Sequence, residues 1–233
     1  MTKPLPVGAT IGILGGGQLG RMLSVAAARL GLKTHIFEPG AGAPAGDVAH
    51  RVTTASYEDA AALTAFGQSV DVITYEFENI PTSALDLLET LAPIHPGRHA
   101  LATSQDRLVE KKFLQELGLQ TAAFADVASA ADLDAAIAEI GTPAILKTRR
   151  FGYDGKGQAR IMTPDAAAAA FDDMAGAPAI LEGFVNFSHE VSIIGARNRH
   201  GEIAVYPLNL NRHREGILRL TRAPYGTAAL QAR

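Results

Sequence analysis

The chain has 233 residues, of which 47% are hydrophobic, and this composition is typical of a folded protein with one large domain or two small ones. The formal net charge of −3 gives no general electrostatic attraction to nucleic acid or to an anionic membrane. The absence of cysteine excludes disulfides, thiolate metal sites and cysteine nucleophiles.

The chain contains no apolar run that approaches the about 18 residues of a membrane-spanning helix. Its first residues, MTKPLPVGATIGILGGG, are broken by glycines and fit a buried strand better than a signal peptide. We therefore expect a cytoplasmic protein whose partners are small molecules, neither nucleic acid nor membrane.

The first hundred residues alternate between strand and helix patterns. Ala9–Leu14 is an apolar run that ends in three glycines, and apolar residues at helical spacing follow from Gln18 to Leu30. Further strands are predicted at 33–37 and 70–75, and further helices at 57–66 and 81–91. This alternation predicts a doubly wound parallel sheet with right-handed crossovers.

The pattern changes near Pro96, where we place a domain boundary. A charged amphipathic helix is predicted from Ser104 to Leu117. After it, strands are predicted at about 120–125, 144–148, 158–162 and 179–182, helices at 129–140 and 165–174, and antiparallel strands at 191–196, 203–206 and 217–221. We therefore predict an α/β domain at 1–97 and an α+β domain at 98–233.

Gly15, Gly17 and Gly20 form a Gly-x-Gly-x-x-Gly motif between the first strand and the first helix. Glycines at this point allow a tight turn and let an anion approach the backbone amides of the helix N-terminus. Glu38 ends the second strand, where dinucleotide-binding proteins place a ribose-binding acid. The motif by itself leaves three interpretations open: a nicotinamide or flavin site, a site for another phosphate-bearing substrate, or a glycine turn that only packs.

A second glycine loop, FGYDGKGQ at 151–158, follows a strand that ends near Lys147. A strand lysine followed by a cationic glycine loop suits a triphosphate, since the lysine contacts phosphate oxygens and the loop closes over them. The alternative is a glycine hairpin with solvated lysines. Downstream, Glu182 could accept a hydrogen bond from an adenine amino group and Glu190 could reach a ribose, although each glutamate taken alone is more consistent with a surface charge.

In this order the motifs resemble those of ATP-grasp ligases, and within them the N5-carboxyaminoimidazole ribonucleotide synthases of purine synthesis. The matching segments are GGGQLGRM (15–22), TYEFENIP (74–81), QDRLVEKKFL (105–114), RRFGYDGKGQ (149–158), LEGFV (181–185) and HREGILRLTRAP (213–224). The resemblance implies a pre-ATP-grasp substrate domain at 1–97. It implies an ATP-grasp domain at 98–233, with its central subdomain at about 120–182 and only the start of its C-terminal subdomain.

The resemblance also implies roles for individual residues. It implies an ATP site formed by Arg107, Lys147, Gly152, Tyr153, Asp154, Gly155, Lys156, Gly157, Gln158, Glu182, Gly183, Phe184, Val185, Glu190 and His213. It implies that 5-aminoimidazole ribonucleotide, not NAD, is bound by Gly15, Gly16, Gly17, Gln18, Leu19 and Glu76. Tyr153 and Asp154 would be the catalytic residues, with Asp154 helping to deprotonate the substrate amine.

The implied reaction is stepwise. ATP phosphorylates bicarbonate to carboxyphosphate, which carboxylates the exocyclic amine of the ribonucleotide with release of ADP and phosphate. ATP and Mg²⁺ are the implied cofactors, and the full-length enzyme is expected to be a homodimer. Family members continue beyond residue 233, and we expect the magnesium ligands there. We therefore assign no metal ligand, interpret the chain as truncated and expect it to be inactive alone.

Three alternatives stay open from the sequence. Another ATP-grasp ligase, such as a formate-dependent purine transformylase or a D-alanine ligase, would share the lysine and the glycine loop but not TYEFENIP. A NAD-dependent oxidoreductase would use the first glycine motif with Glu38, but no downstream acid–base set supports it. A non-catalytic nucleotide-binding fragment would bind ATP without turnover.

Overall fold

The computed structural model of the protein describes residues 4–152, 156–198 and 200–226. The chain divides into two compact units, Met1–Gly118 and Leu119–Arg233. Within the described residues, no helix is both long enough and apolar enough to cross a membrane.

The first unit is built on a four-stranded parallel sheet. Its strands are β1 (Thr10–Leu14), β2 (Lys33–Glu38), β3 (Arg51–Thr54) and β4 (Val72–Tyr75), in the spatial order β3-β2-β1-β4. The strand order reverses between β1 and β4, so the carboxyl ends of these two strands flank a switch point, where open α/β sheets bind ligands. The parallel sheet predicted from the sequence is confirmed, although β3 was not anticipated.

Five α-helices are described in the first unit: α1 (Gln18–Arg29), α2 (Ala60–Gly67), α3 (Thr82–Leu88), α4 (Arg98–Ser104) and α5 (Arg107–Glu116), with a short 3₁₀ helix at Pro44–Asp47. The helix predicted at 104–117 corresponds to α5, which begins at Arg107 because Asp106 caps it by accepting from the amide of Leu108 at 2.9 Å, and α4 was not predicted. Helix α4 contacts both α3 and α5. The first unit therefore extends to Gly118, later than the boundary predicted after residue 97.

The core of the first unit lies between the sheet and helices α2 to α4. Its fully buried side chains include Leu14, Phe37, Phe66, Ile73, Ile80, Leu85, Leu88 and Leu101. His35 on β2 is buried beside this core, with its ring edge-on to Phe66 at 4.8 Å between centroids.

The second unit begins with a four-stranded antiparallel sheet. Its strands are β5 (Phe124–Val127), β6 (Ala144–Thr148), β7 (Gln158–Ile161) and β8 (Ala179–Gly183), in the spatial order β5-β8-β6-β7. Helices α6 (Ala130–Ile140) and α7 (Ala167–Asp173) cover the sheet and bury Val127, Leu133, Leu146, Ile161 and Leu181. Every one of these elements was predicted, and β6 has the predicted bounds.

The remaining strands form two small antiparallel sheets. They are β9 (Glu190–Ser192), β10 (Gly195–Arg197), β11 (Ile203–Val205), β12 (Asn209–Arg214) and β13 (Ile217–Arg222). Strands β10 and β11 form one sheet, and β13, β12 and β9 form the other. The strand predicted at 191–196 is divided between β9 and β10, and the polar strand β12 was not predicted.

Candidate functional site

The first glycine motif lies at the switch point of the parallel sheet. Gly15 follows β1, and Glu76 follows β4, its amide donating to the carbonyl oxygen of Leu14 at 3.0 Å. The carboxylate of Glu76 reaches across the crevice and accepts from the amide of Gly17 at 2.7 Å. A Cβ atom on Gly15 would lie 2.9 Å from Cγ of Glu76, so the loop needs glycine there for close approach as well as for its φ of +101°. The structure thus brings together two predicted parts of the ribonucleotide site.

Glu38 also contacts this loop. Its carboxylate accepts from the amide of Gly16 at 2.7 Å and from that of Gly40 at 3.1 Å. Both carboxylates also lie near the hydroxyl of Tyr57. Burial raises the pKa of Tyr57, and the negative charges of Glu38 and Glu76 raise it further. Two acids therefore occupy the amides that a glycine motif commonly offers to a phosphate.

This arrangement argues against the dinucleotide interpretation of the motif. A pyrophosphate bound at the start of α1 would have to displace Glu38 from Gly16 and would meet two carboxylates of its own sign. In addition, a Cβ on Gly16 would lie 2.7 Å from Cβ of Ala43, so Ala43 packs directly against the loop at Gly16. Glu38 holds the loop, which is a role that its strand-end position did not reveal.

In the second unit, Lys147 and Glu182 form an ion pair. Lys147 Nζ donates to Oε2 of Glu182 at 2.9 Å, and both side chains are mostly buried. Strands β6 and β8 are antiparallel with Ile145 opposite Glu182, so Lys147 and Glu182 are diagonal neighbours on one face of the sheet. The sequence analysis named both residues as ATP ligands, but not their contact with each other.

Lys147 leads directly into the glycine loop between β6 and β7. Gly157 closes this loop: its carbonyl oxygen accepts from the amide of Thr148 at 2.8 Å, and its φ is +65°. A Cβ on Gly157 would lie 2.6 Å from Oγ1 of Thr148. Gly157 therefore has two reasons to be glycine, its backbone conformation and its contact with the neighbouring strand.

The predicted loop residues divide into two groups. Gly152 is partly buried, whereas Lys156, Gly157 and Gln158 are exposed. The predicted catalytic residues Tyr153 and Asp154, and the neighbouring Gly155, lie outside the described residues.

The linker after Glu182, residues 183–185, was predicted as part of the ATP site. The amide of Gly183 donates to Ala123 O at 2.8 Å, and that of Phe184 donates to Pro143 O at 3.2 Å. These two donors are thus already engaged within the unit. The side chains of Phe184 and Val185 are exposed, which suits a surface that a flat ring can cover.

Glu190 and His213, both predicted as nucleotide ligands, are in contact. They lie on the adjacent antiparallel strands β9 and β12, with Nδ1 of His213 at 3.0 Å from Oε1 of Glu190. The ladder between β12 and β13 shifts between Arg212 and His213, an irregularity that redirects the side chains on β12. Two residues 23 positions apart in the sequence thus form one polar group.

Arg107, the remaining predicted phosphate ligand, begins α5 in the first unit. Arg149, next to the loop, instead forms an ion pair with Asp126 on β5 at 3.3 Å between Nη1 and Oδ1. Asp126 was missed in the sequence, because nothing in a four-residue strand marks one carboxylate as the partner of a distant arginine.

Magnesium, the metal implied by the resemblance, needs several oxygen ligands. Within residues 4–152, 156–198 and 200–226 there is no group of three histidine, cysteine, aspartate or glutamate side chains that could hold a metal ion. The described residues therefore do not fit a complete magnesium site, and no chemical step is derived through the metal.

Comparisons with known proteins agree with this arrangement. The model of the "Ribonucleotide synthetase preATP-grasp domain" matches residues 8–105, and that of the "ATP-grasp domain" matches residues 112–233. An N5-carboxyaminoimidazole ribonucleotide synthase of Brucella melitensis is 51% identical over 222 residues, which are 94% of this chain and 61% of that protein. The chain thus spans about three fifths of the length of this curated relative.

Solved structures give the same result. The N5-carboxyaminoimidazole synthetase of Staphylococcus aureus complexed with ADP has a TM-score of 0.92 at 40% identity, covering 97% of this chain and 61% of that chain. The Aspergillus clavatus N5-carboxyaminoimidazole synthase in complex with ADP and 5-aminoimidazole ribonucleotide has a TM-score of 0.87 at 25% identity, covering 97% and 60%.

The two matched domain models occur in the order of the two compact units, and the second covers more than half of the sequence. The antiparallel sheet of that second unit carries the lysine, the glycine loop and the acidic linker in sequence. The chain belongs to the ATP-grasp family, and the proteins to which it is similar over nearly its whole length are N5-carboxyaminoimidazole ribonucleotide synthases.

Proposed function

We propose that this chain binds ATP and 5-aminoimidazole ribonucleotide for an ATP-dependent carboxylation with bicarbonate that yields N5-carboxyaminoimidazole ribonucleotide, ADP and phosphate. The observation that carries the proposal is the position of Lys147. It lies on β6, immediately before the glycine loop, with its ammonium 2.9 Å from Glu182 on β8. A lysine held in this way is directed to one place before any nucleotide arrives.

On the ATP side, Lys147 would exchange its contact with Glu182 for a phosphate oxygen, and Lys156 would add a second positive charge from the loop. Glu182 would then be released to accept from the adenine amino group. The Glu190–His213 pair suits a ribose, because a carboxylate and an imidazole together offer an acceptor and a donor to adjacent hydroxyls. Arg107 remains a proposed phosphate ligand.

On the ribonucleotide side, Glu76 would face the ribose hydroxyls or the amine, since a carboxylate accepts hydrogen bonds from both. The loop of Gly15, Gly16, Gly17, Gln18 and Leu19 was predicted to bind the ribonucleotide, and a glycine motif at this place commonly holds a phosphate on its amides. Because Glu38 and Glu76 accept from two of these amides, we propose that the loop orients the uncharged part of the substrate.

In the proposed reaction, bicarbonate is phosphorylated to carboxyphosphate, whose carboxyl group is transferred to the exocyclic nitrogen as phosphate leaves. The protein's contribution is positioning, charge neutralisation and exclusion of water from a labile anhydride. Asp154 as proton acceptor and Tyr153 as its neighbour stay predictions, as do a homodimeric assembly and a cytoplasmic location.

Two other functions are separable from this one. Another ATP-grasp ligase would bind ATP but not the ribonucleotide. A non-catalytic nucleotide-binding fragment would bind ATP without turnover, and the proposed function differs from it by predicting that the ribonucleotide binds as well. The identity of 51% to a named synthase favours the carboxylation over a different ligase.

The test is calorimetric titration of the 233-residue chain with ATP, and separately with 5-aminoimidazole ribonucleotide and NAD. We expect binding of the first two and none of NAD. Lys147→Met should weaken ATP binding at least about tenfold, as expected when a charged hydrogen bond is lost. Lys33→Met, which changes an exposed lysine of the first unit, should leave it unchanged.

Equal ATP affinity of the Lys147→Met chain and the unmodified chain would reject the proposed ATP site. Binding of NAD in place of the ribonucleotide would reject the substrate. Ribonucleotide-dependent release of ADP is the measurement for the prediction that these 233 residues are inactive by themselves.

A further inference from the structure

Residues 77–81 connect Glu76, at the end of β4, to helix α3. The first two residues of this segment are exposed, and Oδ1 of Asn79 is buried without a hydrogen-bond partner among the described residues. Within the part of the chain that the structure describes, one side-chain hydrogen bond reaches the segment, and it comes from Gln105. The position of the segment that follows Glu76 therefore depends on a residue of a distant part of the sequence.

Gln105 lies at the junction between α4 and α5, and only 6% of its surface is exposed. Its side-chain Nε2 donates to the carbonyl oxygen of the fully buried Ile80 at 2.6 Å. Its backbone amide donates to the carbonyl oxygen of Leu101 at 3.1 Å, where α4 ends. A buried amide group is costly unless it is hydrogen bonded, so the contact with Ile80 holds the side chain of Gln105 in one position.

Arg107 follows Gln105 by two residues and is the first residue of α5. Asp106, which lies between them, accepts from the amide of Leu108 at 2.9 Å and so caps the helix. The junction therefore has little conformational freedom, because Gln105 and Asp106 are both held by side-chain hydrogen bonds. A displacement of residues 77–81 would move the start of α5 through one hydrogen bond and two peptide units.

We propose that Gln105 is a positioning residue that couples the ribonucleotide site to Arg107, so that ATP and 5-aminoimidazole ribonucleotide each bind more tightly when the other is bound. The inference rests on the proposed function, in which Glu76 contacts the ribonucleotide and Arg107 contacts a phosphate of ATP. A ligand that immobilises Glu76 also immobilises the segment after it. The hydrogen bond from Gln105 then holds Arg107 in place before ATP arrives, which lowers the cost of ordering that side chain.

A purely structural role of Gln105 predicts a different result. Loss of the hydrogen bond would then lower the stability of the first unit, but the effect of one ligand on the affinity for the other would be unchanged. Coupling between two ligands is a free energy in its own right and is equal in both directions. The coupling factor, which is the ratio of ATP affinities with and without the ribonucleotide, therefore separates the two roles.

The first test is calorimetric titration of the 233-residue chain with a non-hydrolysable ATP analogue, with and without saturating ribonucleotide. In the unmodified chain the ribonucleotide should raise the affinity for the analogue at least about fivefold, the lower end of common coupling factors. Gln105→Met keeps the length of the side chain but removes the donor, and it should reduce this factor to less than about twofold. Each ligand alone should bind this variant within about threefold of the unmodified chain, because no proposed ligand is removed.

Gln115→Met, at an exposed glutamine of α5, is the matched control and should keep the coupling factor of the unmodified chain. Circular dichroism shows whether each variant is folded. Titration with the ribonucleotide, with and without the analogue, should give the same factor, since coupling is reciprocal.

A second test needs no variant. Amide hydrogen exchange is measured in the unmodified chain with one ligand at a time. The analogue alone should slow exchange at residues 78–80, and the ribonucleotide alone should slow it at 108–110, because each ligand restrains the segment on the other side of the hydrogen bond. Residues 60–66 of α2 are the reference segment and should not change.

The proposal is overturned if the ribonucleotide does not change the affinity of the unmodified chain for the analogue, or if Gln105→Met keeps the coupling factor. It is equally overturned if each ligand slows exchange only in its own segment. These outcomes leave the proposed function intact when both ligands bind and Lys147→Met weakens ATP binding. Failure of the ribonucleotide to bind, or equal ATP affinity of the Lys147→Met chain, would reject the proposed function and this inference together.

Discussion

The carboxylate of Glu76 accepts a hydrogen bond from the backbone amide of Gly17 at 2.7 Å, across 59 positions of sequence. This contact joins the ends of β4 and β1, the two strands that flank the switch point of the first sheet. It places a negative charge at the start of α1, where the partial positive charge of the helix stabilises it. An anionic ligand would have to compete with that carboxylate for the same amide.

We predict that the affinity for the ribonucleotide depends on the negative charge of Glu76 more than on the shape of its side chain. Glu76→Gln keeps an oxygen that can accept from Gly17, so the free energy of unfolding should change by less than about 1 kcal/mol. Affinity for the ribonucleotide should fall at least about tenfold, measured by calorimetry. Glu38→Gln, which changes the other carboxylate on the loop, is the control and should keep the affinity within a few fold. A larger effect from Glu38→Gln than from Glu76→Gln would contradict the assignment.

Removal of one member of the Lys147–Glu182 pair should destabilise the second unit. Lys147→Met removes the ammonium that contacts the largely buried Glu182, which should lower the free energy of unfolding by about 2–4 kcal/mol. Urea denaturation monitored by circular dichroism measures it. The double variant Lys147→Met/Glu182→Leu should recover most of the loss, because an apolar pair of similar volume replaces the ion pair. Additive losses in the double variant would show that the two residues act independently.

The loop closure at Gly157 makes a further prediction. Gly157→Ala should cost about 1–2 kcal/mol for its positive φ, with an added cost for the 2.6 Å contact with Thr148. Gly176→Ala is the matched control: its φ is +77°, and a Cβ there would meet nothing within 4 Å. Thermal unfolding should therefore show a larger decrease in Tm for Gly157→Ala than for Gly176→Ala. Equal decreases would show that a Cβ at position 157 does not clash with Thr148.

His35 should make the first unit sensitive to mild acid. Nδ1 of its ring is 2.8 Å from Oγ of Ser69, whose hydroxyl donates to Phe66 O, so the neutral ring donates from Nδ1 and accepts from Thr53 at Nε2. Burial, with smaller contributions from the charges of Arg51 and His50, lowers the pKa of His35 to about 4 from its ordinary value of 6.5.

Since the unfolded chain binds the proton more tightly, His35 contributes full stability above pH 6.5, and this is lost as the pH falls toward 4. We expect a loss of about 2 kcal/mol between pH 7 and pH 5. In His35→Gln the free energy of unfolding should be lower at pH 7 but should change less over that interval. Parallel pH profiles of the two proteins would contradict the assignment.

Local signals predicted most of the elements but not all of their contacts. The strand at 144–148 has its predicted bounds because an apolar run lies between Pro143 and the arginines at 149 and 150. Strand β12, with the sequence NLNRHR, was missed, since its pairing with β9 and β13 outweighs its polar composition. The Lys147–Glu182 contact depends on the register between β6 and β8, and the sequence of one strand does not determine how it aligns with the other.

Helix α1 shows the limit of periodicity most clearly. The helical spacing of its apolar residues was correct, yet the face that packs inward is the one with Gly20, Ser24 and Ala27. Periodicity identifies which residues share a face of the helix. Which face packs inward depends on how closely the helix approaches the residues around it, because only small side chains fit at a short distance.

The ion pair between Lys147 and Glu182 also bears on how ATP affinity should vary with ionic strength. A solvent-exposed lysine releases its counterions when it binds a phosphate, and added salt therefore weakens that contact steeply. Here the ammonium already has an anionic partner at 2.9 Å. Phosphate binding at Lys147 is then an exchange of one anion for another, and salt weakens the old contact along with the new one. Nucleotide affinity at this site should be less sensitive to salt than the number of positive charges near the loop would suggest.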